Sequence, residues 1–222
     1  ETDEELSVFS SEEVPEFNDT PDEAMAAAEN EGIDLANVSG GIYTISSAGN
    51  YTFTCSSAST TNIIVVDGKN ILAEEKINIY LNNVNINTFA GPALQIMGNV
   101  KAAVTIHLTG TNSLITKDNV CAGLQKDNKA QLIIKTNNSD ATAGILNARS
   151  IDGDGAGIGG GYQGSGSCSN IIIDSCSVIA SSKYGAGIGG GKQGIGSNIT
   201  IKSASVTASS TDGAGIGGGG YG

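Results

Sequence analysis

Polar and aromatic side chains follow three copies of one glycine-rich motif. The sequence GAGIGGG occurs at 155–161, 185–191 and 213–219. The candidate binding residues after these copies are Tyr162, Gln163, Lys192, Gln193 and Tyr221. A flat aromatic ring beside amide and amine groups suits a sugar, because a sugar ring has apolar faces and hydroxyls at its edge. The alternative is a set of surface loops that bind nothing.

The motif itself contains GAGIGG, which fits the G-x-G-x-x-G pattern of a nucleotide-binding loop. Such a loop needs a helix directly after it and a carboxylate placed for a ribose. The sequence predicts neither after any of the three copies. We therefore interpret the glycines as tight corners at which neighbouring chain segments approach closely.

Metal-binding and catalytic patterns are sparse. Asp152-Gly-Asp154-Gly matches a fragment of a calcium loop, but the other ligand positions of such loops are absent. Asp152 and Asp154 are therefore weak metal candidates, and calcium is the one possible cofactor. Glycoside hydrolysis needs two convergent carboxylates, and the ten carboxylates after residue 34 are spread along the chain. His107 is the only histidine and has no partner that would orient it as a base. We predict no catalytic residues.

A period of about 30 residues organises the chain from residue 40 onwards. The central aliphatic residues of the motif and of its looser relatives NIIVVDG, GPALQIM and CAGLQKD are Ile64, Leu94, Leu124, Ile158, Ile188 and Ile216. Two further strand patterns lie in each period, one represented by INIYL and NITIK and the other by NVNIN and SVTAS. Three short strands per period without an intervening helix predict an all-β, right-handed parallel β-helix of about six coils. A β-sandwich is the competing fold, but it does not require near-identical segments at fixed spacing.

The strand alternation also predicts which residues point outwards. In the strand series that INIYL and NITIK represent, the outward column comprises Tyr80, His107, Lys135, Asp174 and Lys202. The last three residues alternate in charge and predict a cross-strand charge ladder. Four cysteines without a CxxC pair disfavour zinc. Cys168 and Cys176 align with small residues of the next repeat, which predicts buried free thiols.

The acidic residues are concentrated at the N-terminus. Residues 1–34 hold 13 of the 23 carboxylates and no Lys or Arg, so the rest of the chain is nearly neutral and nucleic acid is excluded as a partner. Thr20, Pro21 and Glu23 followed by an alanine run and Gly32 predict a helix over 20–32. We assign 1–38 to an acidic leader with a capping helix. This helix, or the segment 33–38 after it, is expected to cover the N-terminal end of the first coil. We assign 39–222 to the β-helix.

The last motif copy is followed by only three residues, so we expect the native chain to continue beyond residue 222 or its end to be covered by another chain. No run of 18 apolar residues exists, so membrane insertion of this segment is not expected.

The segments IYTISSAGNYTFTC (42–55), INIYLNNVNI and GPALQI resemble the bacterial surface β-helix proteins named carbohydrate-binding domain-containing. The GAGIGGG and SNITIKSASVTAS repeats are similar to those of cell-wall-associated β-helix proteins. The resemblance implies an extracellular, cell-surface or secreted bacterial protein whose partner is a polysaccharide or cell-wall glycan, with further domains in the same chain. Three functions follow as hypotheses: a non-catalytic carbohydrate-binding or adhesion module, a structural stalk, and a polysaccharide lyase or hydrolase.

Overall fold

The structure is a computed structural model that describes residues 32–137, 144–162 and 166–222. In these residues the chain forms a parallel β-solenoid of about six coils, and every strand pairing is parallel. The predicted parallel β-helix is therefore confirmed, while its right-handedness stays a prediction. The predicted helix over 20–32 lies, except for Gly32, outside the described residues. The helical structure that is described comprises three short 3-10 turns, Leu35–Asn37, Ser39–Gly41 and Gly68–Asn70.

The first of three sheets contains seven strands, and it holds the predicted outward column. Its strands are β1 (Ile33–Asp34), β3 (Gly49–Thr54), β5 (Lys76–Asn82), β8 (Ala103–Thr109), β11 (Leu132–Thr136), β14 (Cys168–Asp174) and β17 (Gly196–Lys202). Tyr80 and His107 occupy neighbouring register positions, and Lys135, Asp174 and Lys202 continue the column. The charge ladder is in register, but no ion pair joins its members in the described part of the chain.

The second sheet has seven short strands that hold the central aliphatic residues of each period. They are β2 (Ile42–Ile45), β4 (Ile63–Val66), β7 (Leu94–Ile96), β10 (Leu124–Lys126), β13 (Ile158–Gly159), β16 (Ile188–Gly189) and β19 (Ile216–Gly217). The six predicted residues from Ile64 to Ile216 stack in one column, which confirms the repeat alignment.

The third sheet has five strands, which lie between the other two sheets from the second coil onwards. They are β6 (Asn85–Thr88), β9 (Thr111–Thr116), β12 (Ile145–Ser150), β15 (Ser177–Ser182) and β18 (Ser205–Ser210). A coil runs from the first sheet to the third and then to the second. In four coils the first corner takes one or two residues, because a left-handed residue bends the chain there, for example Asn83 (φ 53°) or Ser175 (φ 51°). Between β11 and β12 the connection is longer, 137–144.

The core is a continuous stack of inward aliphatic residues. Ile77, Val104, Leu132 and Ile171 lie one above another in the first sheet and are fully buried. Burial of each such side chain stabilises the fold by roughly 1.5–3 kcal/mol. Cys168 and Cys176 are buried free thiols, as predicted.

Lys126 is the exception in this core. It follows Ile45, Val66 and Ile96 in an inward column of the second sheet and is only 1% exposed. Its amine donates a hydrogen bond to the carbonyl oxygen of Asn128 at 2.7 Å. Burial lowers the pKa of Lys126 to about 8.

The N-terminal end of the solenoid includes part of the segment that we assigned to the leader. Ile33 and Asp34 pair with Phe53 and Thr54, and Leu35 is fully buried. Asp34 fixes this segment, because its carboxylate accepts hydrogen bonds from the backbone N–H groups of Ala36 and Ser56.

Candidate functional site

The GAGIGGG copies fold back on themselves and bring their flanking residues to one surface. In each copy the N–H of the second residue donates a hydrogen bond to the carbonyl oxygen four residues later. In the second copy this bond joins Ala186 to Gly190 at 2.8 Å, and the equivalent bonds in the first and third copies measure 2.9 and 3.0 Å. The flank after one copy then bonds to the flank before the preceding copy. Lys192 N–H donates to the Asp154 carbonyl at 2.7 Å, and Gly220 N–H donates to the Tyr184 carbonyl at 2.8 Å.

The reversal assembles a corner cluster of five side chains: Asp154, Tyr162, Lys183, Tyr184 and Lys192. The Lys192 amine lies 3.2 Å from the Asp154 carboxylate, 5.6 Å from the centre of the Tyr162 ring and 5.0 Å from the centre of the Tyr184 ring. The Lys183 amine lies 4.9 Å from the centre of the Tyr184 ring. Cation–π contacts of this kind stabilise by about 0.5–1 kcal/mol at exposed sites. The Tyr184 ring makes two of them and the Tyr162 ring makes one.

Both lysines of the corner cluster are held in the charged form. The hydrogen bond to Asp154 raises the pKa of Lys192, and the neighbouring Asp154 charge adds to this shift. A hydrogen bond to Tyr184 raises the pKa of Lys183, with smaller contributions from the charges of Asp152 and Asp212. The cluster therefore presents ammonium groups beside aromatic rings at neutral pH.

Four of the five predicted binding residues lie in the described part of the chain. Tyr162 and Lys192 come together in the corner cluster, and Gln193 lies beside Gly220, whose carbonyl accepts its N–H at 2.9 Å. Tyr221 is 89% exposed, and no ring or cation contact of its side chain occurs among the described residues. Gln163 lies outside the described residues.

Tyr184 is a cluster residue that the sequence analysis missed. The prediction considered only the residues that follow each GAGIGGG copy, whereas Tyr184 precedes one. The signal was present, because Tyr184 and Asp154 both stand directly before a copy. A loop that reverses the chain within the motif places both flanks on the same side.

A serine depression of about 480 Å³ lies beside the corner cluster on the third sheet. Its lining includes Arg149, Ser181, Lys183, Ser209 and Thr211. Arg149, Ser181 and Ser209 occupy one register column, so two small hydroxyl side chains follow the large arginine and leave space above them. Arg149 Nε donates to Ser181 Oγ at 3.1 Å. Lys183 lines the depression and also contacts the Tyr184 ring, which joins the two features.

Serine hydroxyls bond to the backbone at this corner. Ser182 Oγ donates to the carbonyl oxygen of Gly155 at 2.6 Å, and Ser210 Oγ donates to that of Gly185 at 2.6 Å. Ser182 is also the acceptor for the N–H of Gly185 at 3.0 Å. Each bond ties the end of a third-sheet strand to the start of a GAGIGGG copy. The cluster and the depression are thus positioned by satisfied backbone groups.

The two metal candidates do not converge with other ligands. Asp154 is ion-paired with Lys192, and Asp152 is exposed. Within 32–137, 144–162 and 166–222 there is no group of three or more His, Cys, Asp or Glu residues placed to hold a metal ion. Calcium at Asp152 and Asp154 stays a prediction, and it would have to displace the lysine amine.

A second candidate surface is the outward face of the first sheet. The Tyr80 and His107 rings stack with centroids 4.4 Å apart and an interplanar angle of 12°. Asn78 Oδ1 lies 3.3 Å from His107 Nε2, and Asn78 Nδ2 donates to Asn50 Oδ1 at 2.8 Å. Each ring uses one face on the other, so less aromatic surface is open here than two separate rings would offer. Burial, followed by the charge of Lys135, lowers the pKa of His107 to about 4.

Comparison with known proteins gave one family. A family model described as "Carbohydrate-binding domain-containing protein" matches residues 39–157. No curated protein and no solved structure matches the chain. Among the described residues no helix is long and apolar enough to cross a membrane.

The matched range contains Tyr80, His107 and Arg149, whereas Tyr162, Tyr184 and Lys192 follow it. It covers more than half of the 222 residues. The chain therefore belongs to the carbohydrate-binding domain-containing protein family.

Proposed function

We propose that the protein is a non-catalytic carbohydrate-binding module whose ligand contacts the corner cluster and the serine depression. One observation carries this proposal: Lys183 belongs to both features, so an aromatic ring and a hydroxyl-lined depression form one continuous surface. Binding sites of about 300–1,000 Å³ suit small organic ligands, and the depression is within this range. Membership of the family supports the ligand class.

The chemistry of the surface suits a sugar. The apolar face of a sugar ring packs against the open part of the Tyr184 ring. The hydroxyls of the sugar exchange hydrogen bonds with Ser181 and Ser209. Arg149 uses only Nε within the described residues, so its terminal nitrogens are available as paired donors.

The role of Asp154 supports binding rather than hydrolysis. Hydrolysis of a glycosidic bond requires a protonated carboxyl and a second carboxylate at a suitable distance. Asp154 is the carboxylate of the corner cluster and is paired with Lys192 at 3.2 Å. A lyase or hydrolase is the alternative, and a structural stalk is another, favoured by the continuous core along the coils.

We further propose that this module acts outside the bacterial cell, on its surface or secreted, where it mediates adhesion to a polysaccharide or cell-wall glycan. Further domains in the same chain would anchor it. The resemblance of its repeats to those of cell-wall-associated proteins supports this location.

A glycan array followed by calorimetry tests the proposal. We expect Tyr184→Ala and Arg149→Ala each to weaken binding of the selected glycan about tenfold, and Tyr221→Ala to leave it unchanged because that ring stands apart. Replacing Tyr162, Gln163, Lys192 and Gln193 together with Ala or Ser should abolish binding and leave the melting temperature nearly unchanged.

Other outcomes separate the alternatives. Loss of affinity in Tyr80→Ala, with Tyr184→Ala unaffected, would move the site to the first sheet. If the protein binds no glycan, the structural-stalk function would remain. Release of reducing ends from a polysaccharide would identify an enzyme.

A further inference from the structure

A corner column of side chains runs along the solenoid from the corner cluster towards the N-terminal coils. It consists of the residues that directly follow the inward hydroxyls of the third sheet: Phe89, Lys117, Ile151, Lys183 and Thr211. The preceding hydroxyl residues are in register, Thr88 with Thr116 and Ser182 with Ser210. Lys117 N–H donates to the Thr88 carbonyl and Ile151 N–H donates to the Thr116 carbonyl, both at 3.0 Å. Between Ile151 and Lys183 the column follows the strands before it, where Arg149 pairs in register with Ser181.

Phe89 is the most unusual member of this column. A phenylalanine is normally buried, yet Phe89 is 66% exposed. The Lys117 amine lies 4.4 Å from the centre of its ring. This aromatic and lysine pair resembles the Tyr184 and Lys183 pair on the same corner, and nothing in the described core explains an aromatic ring at this position.

The backbone that carries Phe89 is fixed. Thr88 Oγ1 donates to the carbonyl oxygen of Ala90 at 2.8 Å, and Thr116 Oγ1 donates to that of Gly91 at 2.8 Å. Gly91 N–H donates to the Asp118 carboxylate at 2.9 Å. The ring is therefore presented to solvent by a rigid corner, and a ligand would pay little entropy of ordering to contact it.

We propose that Phe89 is a second sugar-binding platform and that the ligand is a linear polysaccharide lying along the corner column, parallel to the solenoid axis. This inference rests on the proposed function. Phe89 and Lys183 are three coils apart, which at about 4.8 Å per coil gives roughly 14 Å. A single sugar ring in the serine depression cannot reach Phe89, so only a chain of several sugar residues contacts both.

The shape of the column favours a polymer chain over a folded protein partner. A stable protein interface buries about 800 Å² on each partner around an apolar centre. Here one aromatic, one aliphatic, two lysine and one hydroxyl side chain follow one narrow corner. A flexible chain with apolar ring faces and hydroxyl edges can meet each of these in turn.

Phe89→Ala tests the inference, with Leu72→Ala as the matched control. Leu72 is similarly exposed, at 60%, and lies on a different corner, between the second and first sheets. Affinity is measured by calorimetry for the polymer selected on the array and for its disaccharide. Phe89→Ala should weaken polymer binding about tenfold, or about 1.4 kcal/mol, in line with half-burial of the ring. The disaccharide affinity and the melting temperature should not change, and Leu72→Ala should bind both ligands like the parent protein.

The outcomes distinguish this inference from the proposed function. Unchanged polymer affinity in Phe89→Ala overturns the inference and leaves carbohydrate binding at the corner cluster intact. An equal loss for polymer and disaccharide also overturns it, because Phe89 would then act through the fold. Reduced self-association with unchanged glycan affinity would assign Phe89 to a protein contact and overturn it. A parent protein that binds no glycan overturns both proposals.

Discussion

Replacing Gly159 by alanine should destabilise the solenoid much more than replacing Gly217. The two glycines occupy the same position of the first and third motif copies and have the same φ of 134°. A Cβ atom at Gly159 would overlap the carbonyl oxygen of Gly189 in the next coil and come within 2.9 Å of Cys168 Sγ. At Gly217 the nearest atom is Ala214 Cβ at 3.5 Å, which is ordinary contact.

The magnitude follows from two separate costs. The backbone conformation is unfavourable for alanine in both variants and costs about 1–3 kcal/mol. The overlap occurs only at Gly159 and adds about 1–3 kcal/mol, because backbone of the adjacent coil has to move. The difference between the two variants, about 1–3 kcal/mol in the free energy of unfolding, measures the close approach of the coils.

Urea unfolding followed by far-ultraviolet circular dichroism gives the comparison. Gly189→Ala is the internal replicate, since its Cβ would overlap the carbonyl oxygen of Gly217 in the same way. Gly189→Ala also controls for fraying of the last coil, because Gly189 lies one coil closer than Gly159 to the end of the described chain. If Gly159→Ala and Gly189→Ala lose no more stability than Gly217→Ala, the glycines serve backbone conformation alone and the close-approach argument is wrong.

Three further predictions concern titration and the N-terminal end. The pKa of His107 is about 4 in the folded protein and 6.5 for a free histidine. The contribution of His107 to the free energy of unfolding should therefore be complete above pH 6.5 and decline as the pH falls towards 4. His107→Gln should remove this part of the pH dependence of the urea midpoint. Lys126→Met should stabilise the protein at pH 7 by about 1 kcal/mol. This gain should shrink between pH 8 and 10.5, because in that range the parent amine loses its charge on folding. An unchanged gain across the range would contradict the burial of a charged amine at Lys126. Deleting 1–38 removes β1 and the buried Leu35 and should promote aggregation, measured by light scattering. Deleting only 1–31 keeps β1 and Leu35 and so tests the acidic residues before them separately. A 39–222 protein that is monomeric and equally stable would refute the proposed cap.

The sequence allowed the architecture and its columns to be predicted because a solenoid repeats its chemistry at a fixed period. Ile64 and Ile216 are 152 residues apart in sequence, yet both were assigned to one column and lie in it. Each coil uses the same alternation of inward aliphatic and outward polar residues, so one correctly aligned strand fixes its equivalents. The buried thiols followed from the same alignment with small residues.

The site could be predicted only in part, because its contacts depend on how a loop turns and not on the period. Tyr184 was missed since the reversal within GAGIGGG brings together residues on both sides of the motif. The charge ladder was placed in the correct register, but register fixes only the backbone, and the long side chains of Lys135 and Lys202 do not reach Asp174. Lys126 gave no sequence signal at all, because its position in an aliphatic column becomes visible only when the coils are stacked.

The family match and the glycine-rich repeats meet within one binding surface. The matched range ends at residue 157, inside the first GAGIGGG copy, and it includes Phe89, Lys117 and Arg149. Asp154 of the corner cluster lies in this range and the other four cluster residues follow it. The third-sheet strands beside the corner column stay in register across the boundary, with Arg149 paired to Ser181. An extended ligand that follows the column would thus contact residues of the matched range and of the repeats together. For this reason the length dependence of binding in Phe89→Ala tests the two regions as one site, which no variant confined to the repeats can do.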